Sequence, residues 1–335
     1  VSSFDAWKFD TSKVTDMSFM FYYLQTMKSI DLSNFNTEKV CDMTSMFSAF
    51  YNLESLDLSS FKTGEVESMK TMFSGCNKLK YLKFGDFDTK NVKDMEGMFS
   101  SCSSLTTLDL SKFNTKNVEN MIKMFTSCSA LTYLDISNFN TEKVENMEEM
   151  FNSCRELTSL NLLKFDTSKV TSMTFMFSFC EKLTSINLSG FNTGLVTNMY
   201  GIFSGCKSLK ELNVEKFDVS RLTLMTRMFY ECESLTSLDV SNFKTGNVLR
   251  MDSVFERCTR LQSLDLSKWD TRQATNFGSM FAWCSSLKEL NLQKFDTSKV
   301  ESMNSMFTDC SSLERLEISN FDTRNVASMK SMFEN

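Results

Sequence analysis

Apolar positions recur along this chain every 26 residues, and the polar positions between them keep the same phase. The dipeptide Met-Phe, or a close variant, ends at Phe21, Phe47, Phe73, Phe99, Phe125, Phe151, Phe177, Phe203, Phe229, Phe255, Phe281, Phe307 and Phe333, thirteen copies without an insertion or deletion. In one copy the apolar columns are Val144, Met147, Met150, Phe151, Cys154, Leu157, Leu160, Leu162 and Phe165. From Val144 to Leu157 the spacing places one apolar stripe on a short helical or 3₁₀-like run. Leu160 and Leu162 are two apart, the signature of a short strand with alternate residues pointing inward. Asp166 and Thr167 supply turn chemistry, since such side chains bond nearby backbone amides and can cap the next helix. Each repeat is thus predicted to be a strand, a turn and a helical return. A fixed period of this length signals stacked supersecondary units that are stable only against their neighbours. The predicted fold class is an α/β solenoid with a parallel β-sheet on one face and short helical returns on the other.

The columns account for the composition. Of 24 methionines, 23 lie in the two Met columns, and 25 of 32 phenylalanines occupy the Met-Phe column and the column before the turn. Set in phase, these residues read as core, with Met filling irregular gaps, and not as a cofactor-binding stripe. No linker, charge block or low-complexity tract interrupts the phase, so residues 1–335 read as a single repeat domain. Val1, Phe4 and Ala6 enter at the leucine columns, and Asn335 stops short of a cysteine column. Neither end carries a polar capping repeat, so the chain is expected to be a segment of a longer protein or of an assembly.

Ten of the 11 cysteines form one column running from Cys76 to Cys310, and the first two copies put Leu24 and Phe50 there. A site that accepts large hydrophobes points to reduced, buried cysteines, because Cβ atoms pointing in parallel give poor disulfide geometry. Their spacing fits no zinc pattern, and the chain has no histidine. Cys41 lies outside the column and is expected to be exposed. A net charge of −6 argues against a nucleic-acid partner, which needs a basic face. No apolar run is long enough to span a membrane. There is no glycine-rich phosphate loop, no G-x-S-x-G and no polar pair breaking the repeat, so an enzyme is not expected.

The string running from Cys128 through Leu131, Leu134, Asp135, Ile136, Ser137, Phe139, Asn140, Thr141, Val144, Met147 and Met150 to Phe151 resembles the BspA-like family of leucine-rich repeat surface proteins in its 26-residue form. The resemblance covers the full chain. It implies a right-handed leucine-rich-repeat-like solenoid, display at the cell surface or outside the cell of a microbe, and a role in adhesion or surface structure. It supplies no catalytic residue. Local departures are Lys83-Phe84-Gly85 for Asp-Leu-Ser, Val219 for threonine, Trp269 for phenylalanine and Phe277 for methionine, none of which is expected to change a fold element.

Function is expected on the outward face of the strands. Its middle column is rich in Asp and Asn, relieved by Lys83. A solvated polar face is the default reading for it, with calcium a weak alternative because carboxylates supply hard oxygen ligands. No other cofactor is expected. The neighbouring column is mostly serine, yet Tyr81 and Tyr133 occur there around Thr107, with Lys83, Asp109 and Asp135 alongside. Exposed tyrosines beside charge are enriched at recognition surfaces, so these six residues form the candidate binding face. The expected partners are protein or matrix ligands. The competing expectation is a structural filament of copies stacked end to end. Ice binding through the threonine column is a third reading, weakened because turn capping explains that column better.

Overall fold

In the return segments alternate backbone amides point to the next repeat. In one of them the amides of Met95, Gly97, Phe99 and Ser101 donate to the carbonyls of Asn120, Ile122, Met124 and Thr126, at 3.0, 2.8, 2.9 and 2.7 Å. The amides between them close tight turns within the coil, Met98 to Met95, Ser100 to Gly97 and Cys102 to Phe99. Gly97 and Ser101 have φ of 58° and 60°, the left-handed conformation that the third position of a type II turn demands. Other copies put Phe19, Lys123, Glu149, Phe175 or Arg227 at the Gly97 position with the same sign of φ.

The helical return predicted from spacing is therefore wrong. No α-helix occurs among the described residues, and the apolar stripe is carried by successive turns. Coil spacing supplies the reason. Parallel bridges join Asp42, Ser68, Asp94 and Asn120 at the start of successive returns, which sets neighbouring coils about 4.8 Å apart there. A helix is about 10 Å across and keeps its hydrogen bonds to itself, so it cannot stack at that interval. Consecutive turns place the same side chains inward and leave half the amides free for the neighbour.

The computed structural model describes residues 8–335. Val1, Phe4 and Ala6, assigned above to leucine columns, lie outside the described residues. The chain forms two compact units, Val1–Leu157 and Thr158–Asn335, each built of such coils.

The strand side is less continuous than predicted. In the first unit β1 (Ser55–Leu58) pairs in parallel with β2 (Tyr81–Phe84), and β3 (Thr107–Asp109) pairs with β4 (Tyr133–Asp135). In the second, β5 (Glu289–Asn291) pairs with β6 (Arg315–Glu317), and a single bridge joins Ser185 to Glu211. The strands are short because the Asp/Asn column ends them. Its carboxyl or amide oxygen accepts the amide two residues on, Ser59 to Asp57 at 2.8 Å, Ser111 to Asp109 at 2.9 Å and Ser137 to Asp135 at 3.0 Å.

All nine apolar columns turn inward. Val92, Met95, Met98, Phe99, Cys102 and Leu105 are at most 1% exposed. The Met-Phe column forms ring stacks, Phe47 to Phe73 at 5.8 Å and Phe73 to Phe99 at 5.5 Å in the first unit, and Phe203 to Phe229 at 5.9 Å and Phe229 to Phe255 at 5.7 Å in the second.

One polar column is also inside. Thr115 is 1% exposed, and its hydroxyl donates to the Asn140 carbonyl at 2.8 Å while accepting the Asn140 amide at 2.7 Å. Thr37 treats Lys62 in the same way, and Thr271 treats Asp296. Threonine here ties coil to coil, whereas the preceding Asn or Asp caps its own turn, as Asn36 does for the Glu38 amide. Burial removes these hydroxyls from any ice-facing surface. No disulfide joins the cysteines among the described residues, and thiols of the column donate to the carbonyl of the preceding coil's Met-Phe phenylalanine, Cys102 to Phe73 at 3.2 Å and Cys128 to Phe99 at 3.1 Å.

Burial pushes the thiols of Cys76, Cys128 and Cys258 up to about 12, and those of Cys102 and Cys232 well above the ordinary thiol range. The thiolate is the reactive form, so these residues should be inert in the folded chain. Titration with a chromogenic disulfide should find one fast thiol, the exposed Cys41, and all 11 only after denaturation. Two or more fast thiols in the native protein would show that the column opens to solvent.

Candidate functional site

The two-residue alternation of each strand sends Tyr81, Lys83, Thr107, Asp109, Tyr133 and Asp135 to the outer face, while Leu82, Leu108 and Leu134 turn inward. Tyr81 is 73% exposed and Tyr133 54%. Parallel register sets Thr107 beside Tyr133 and Asp109 beside Asp135. The same register on the other pair sets Tyr81 beside Ser55 and Lys83 beside Asp57. The six residues thus fall into two halves on separate two-stranded sheets, and no ladder joins β2 to β3.

Each half has its own electrostatics. The Lys83 ammonium lies 3.0 Å from the Asp57 carboxylate. The Asp57 carboxyl is held down to about 2, first by the hydroxyl and amide of Ser59 and then by Lys83. Its folded value lies below the ordinary one, so Asp57 favours the folded state above the usual carboxylate range, and that contribution fades as pH falls toward about 2. In the other half the Tyr133 hydroxyl donates to Asp135 at 3.4 Å, and the charge of Asp135 raises the phenol. The tyrosine therefore stays neutral and available as a donor. Among the described residues no group of three or more histidine, cysteine or carboxylate side chains is placed to hold a metal ion.

The break between the halves coincides with the departure Lys83-Phe84-Gly85. Gly85 comes so close to the coil before it that a Cβ there would lie 2.4 Å from the Ser59 carbonyl oxygen. Only glycine permits that approach. Other coils carry serine at this position, as at Ser59, Ser111 and Ser137. Lys83 has no acceptor for the Gly85 amide and reaches back to Asp57 instead. β2 pairs with β1, and a cavity of about 340 Å³ lies on its other side, lined by Leu82, Lys83, Phe84, Gly85, Phe87, Thr107, Leu108, Asp109, Lys112 and Phe113. Leu82 and Phe84 are half-buried there, whereas Leu56, Leu58, Leu108 and Leu110 in the flanking coils are buried. The Phe84 ring packs against Phe87 at 4.8 Å and Phe113 at 5.3 Å.

The departure leaves β2 itself in place, a four-residue strand in register with β1, and what it adds is the gap on the other side. Sequence reasoning missed Leu82, Phe84, Lys112 and Phe113 as site residues. The available signal was three consecutive departures inside a strand of an otherwise regular repeat.

Each unit is a solenoid of 26-residue coils joined by parallel backbone ladders, the repeat-protein class. The chain belongs to the family described as "Mycoplasma protein of unknown function, DUF285", whose pattern matches residues 2–82, 78–185, 153–263 and 236–335. No curated protein matches. Among solved structures the chain is similar to a leucine-rich repeat protein from Bacteroides ovatus (17% identity, 91% of this chain and 79% of that one, TM-score 0.44). It is also similar to a leucine rich cell surface protein from Faecalibacterium prausnitzii (20% identity, 92% of this chain and 78% of that one, TM-score 0.44). A third is a leucine-rich repeat protein of T. pallidum (15% identity, 61% of this chain and 76% of that one, TM-score 0.34). They are bacterial leucine-rich repeat proteins, the class to which the repeat pattern bears its resemblance, and none carries the BspA-like name. At TM-scores of this size the likeness carries no functional assignment. No helix among the described residues is long and apolar enough to cross a membrane.

Proposed function

We propose that this chain is a non-enzymatic repeat protein of a microbial cell surface that binds protein or matrix ligands through the outer face of its strands. The observation that carries the reading is the exposure of Tyr81 and Tyr133, at 73% and 54%, on short strands whose other side is fixed by the core. Most copies place serine in that column. A large ring held out into solvent contributes nothing to packing, whereas aromatic residues at the centre of an interface carry much of its binding energy. The surface location rests on the resemblance of the repeat to the BspA-like pattern.

Replacing both tyrosines with serine, the residue common in that column, should weaken partner binding at least about tenfold, the scale of one binding hot spot. Stability should stay within about 1 kcal/mol, because exposed side chains contribute little to it. Binding can be read with the immobilised chain against extracellular-matrix proteins, and stability by urea denaturation. Binding unchanged in the double variant would remove the tyrosines from the site.

A further inference from the structure

The gap between β2 and β3 differs from the other openings along the strand side. In the second unit a gap of about 300 Å³ is lined by Leu212, Val214 and Leu238 among polar residues. Another, of about 320 Å³, has only Leu264 and Leu290 as its apolar lining. The gap beside β2 instead reaches inward to the half-buried Leu82 and Phe84 and to Phe113, so its inner end is aromatic and its mouth is polar.

The mouth is balanced in charge. Lys83 is neutralised by Asp57 at 3.0 Å, and Lys112 and Asp109 carry opposite charges on the same rim. An ionic ligand would find its countercharge cancelled. A neutral group with equal numbers of donors and acceptors would not, and the peptide main chain is such a group. The facing edges of β2 and β3 are joined by no ladder, so their main-chain groups are not paired with one another, and main-chain groups of this kind are what extended segments bind. The volume, about 340 Å³, stands at the small end of ligand pockets and suits one ring better than a nucleotide or cofactor.

We infer that the gap between β2 and β3 receives one ring-sized apolar side chain from an extended peptide segment of a protein partner. That side chain lies against Phe84 and Phe113, and the segment's main chain crosses the rim formed by Lys83, Thr107 and Asp109. The inference rests on the reading of the strand face as a binding surface and names what that face takes.

The test uses the whole chain, ¹⁵N-labelled, titrated with a blocked Ser-Thr-Phe-Thr-Ser peptide and followed by its amide signals. The controls are the same peptide with Ala or Asp at its centre, N-acetylphenylalanine amide and a methyl glucoside. The Phe peptide should shift the amides of Leu82, Lys83, Thr107 and Leu108 saturably. The controls should bind at least roughly tenfold more weakly, the scale set by a missing apolar group or main-chain contact. The variant Lys83→Asp, Phe84→Leu, Gly85→Ser restores the common repeat and supplies a Cβ that the present approach to Ser59 cannot hold. It should melt at or above the parent's temperature and lose the response. Absence of a saturable shift, an equal response in the triple variant, or a control matching the Phe peptide would each overturn the inference. The variant Tyr81→Ser, Tyr133→Ser should keep the peptide response within about twofold, since neither ring lines the gap. Loss there would reassign the response to the tyrosines. A preserved gap response with no effect of the tyrosines on matrix binding would sink the wider face alone.

Discussion

Phe99→Ala is expected to cost about 3–5 kcal/mol, the range for emptying a phenylalanine site in a closed core. Phe99 is fully buried, and its ring stacks on Phe73 at 5.5 Å and on Phe125 at 5.8 Å. The coil around it has little room to collapse. Its amide is tied to the Met124 carbonyl, and its own carbonyl accepts both the Cys102 amide and the Cys128 thiol. The backbone therefore cannot move in to fill the space, which places the loss in the upper part of that range. Because coils touch only their neighbours, amide exchange should rise in the coils holding Phe73 and Phe125 and stay close to the parent's in coils several repeats away. Leu163→Ser serves as the control. Leu163 is 68% exposed, and its replacement should lie within about 0.5 kcal/mol of the parent. A loss under about 1 kcal/mol for Phe99→Ala, or exchange rising evenly along the chain, would contradict a stack held by nearest neighbours.

Thr115→Val should cost about 1–3 kcal/mol with almost no change in side-chain volume. The two side chains have the same shape, so the difference isolates the hydroxyl. Removing it strands the amide and the carbonyl of Asn140, both of which Thr115 satisfies, at 2.7 and 2.8 Å. Unsatisfied buried groups cost more than a made bond contributes, which is why this change should outweigh an ordinary threonine substitution. The chain contains the reverse experiment. Val219 stands in the threonine column, is 1% exposed and has no hydroxyl to offer the coil after it. Val219→Thr should therefore stabilise by about 0.5–1.5 kcal/mol. Urea midpoints of both variants against the parent measure the pair, and a neutral Thr115→Val would mean that water reaches the site.

Much of this was legible in the sequence. Spacing alone turns Val92, Met95, Met98, Phe99, Cys102 and Leu105 inward, and they are buried. Tyr81 and Tyr133 were assigned outward from the two-residue period of a strand, and they are exposed. Cys41, the one cysteine out of phase, is also exposed. These are local properties, since a side chain's direction follows from the backbone of its own few residues.

The returns are not legible in the sequence, because an apolar stripe at steps of three fits a helix and a run of i to i+3 turns equally well. A local pattern does not contain the distance to the next coil, and that distance decides between them. Thr115 was misassigned for the same reason. Its partner is Asn140, 25 residues ahead, and only stacking brings the two together. The gap beside β2 was hidden because Gly85 looks harmless until Ser59 of the preceding coil is placed against it.

The sequence by itself determined the period, the inward columns, the strand positions and the outward tyrosines, because each follows from a repeat carried in the residues of one coil. Tertiary structure alone decided that the returns are turns, that threonine bonds across coils and that β2 parts from β3. Each of these depends on how closely one backbone approaches the next, a distance set by the ladders between coils and by the one glycine that lets two of them come nearer.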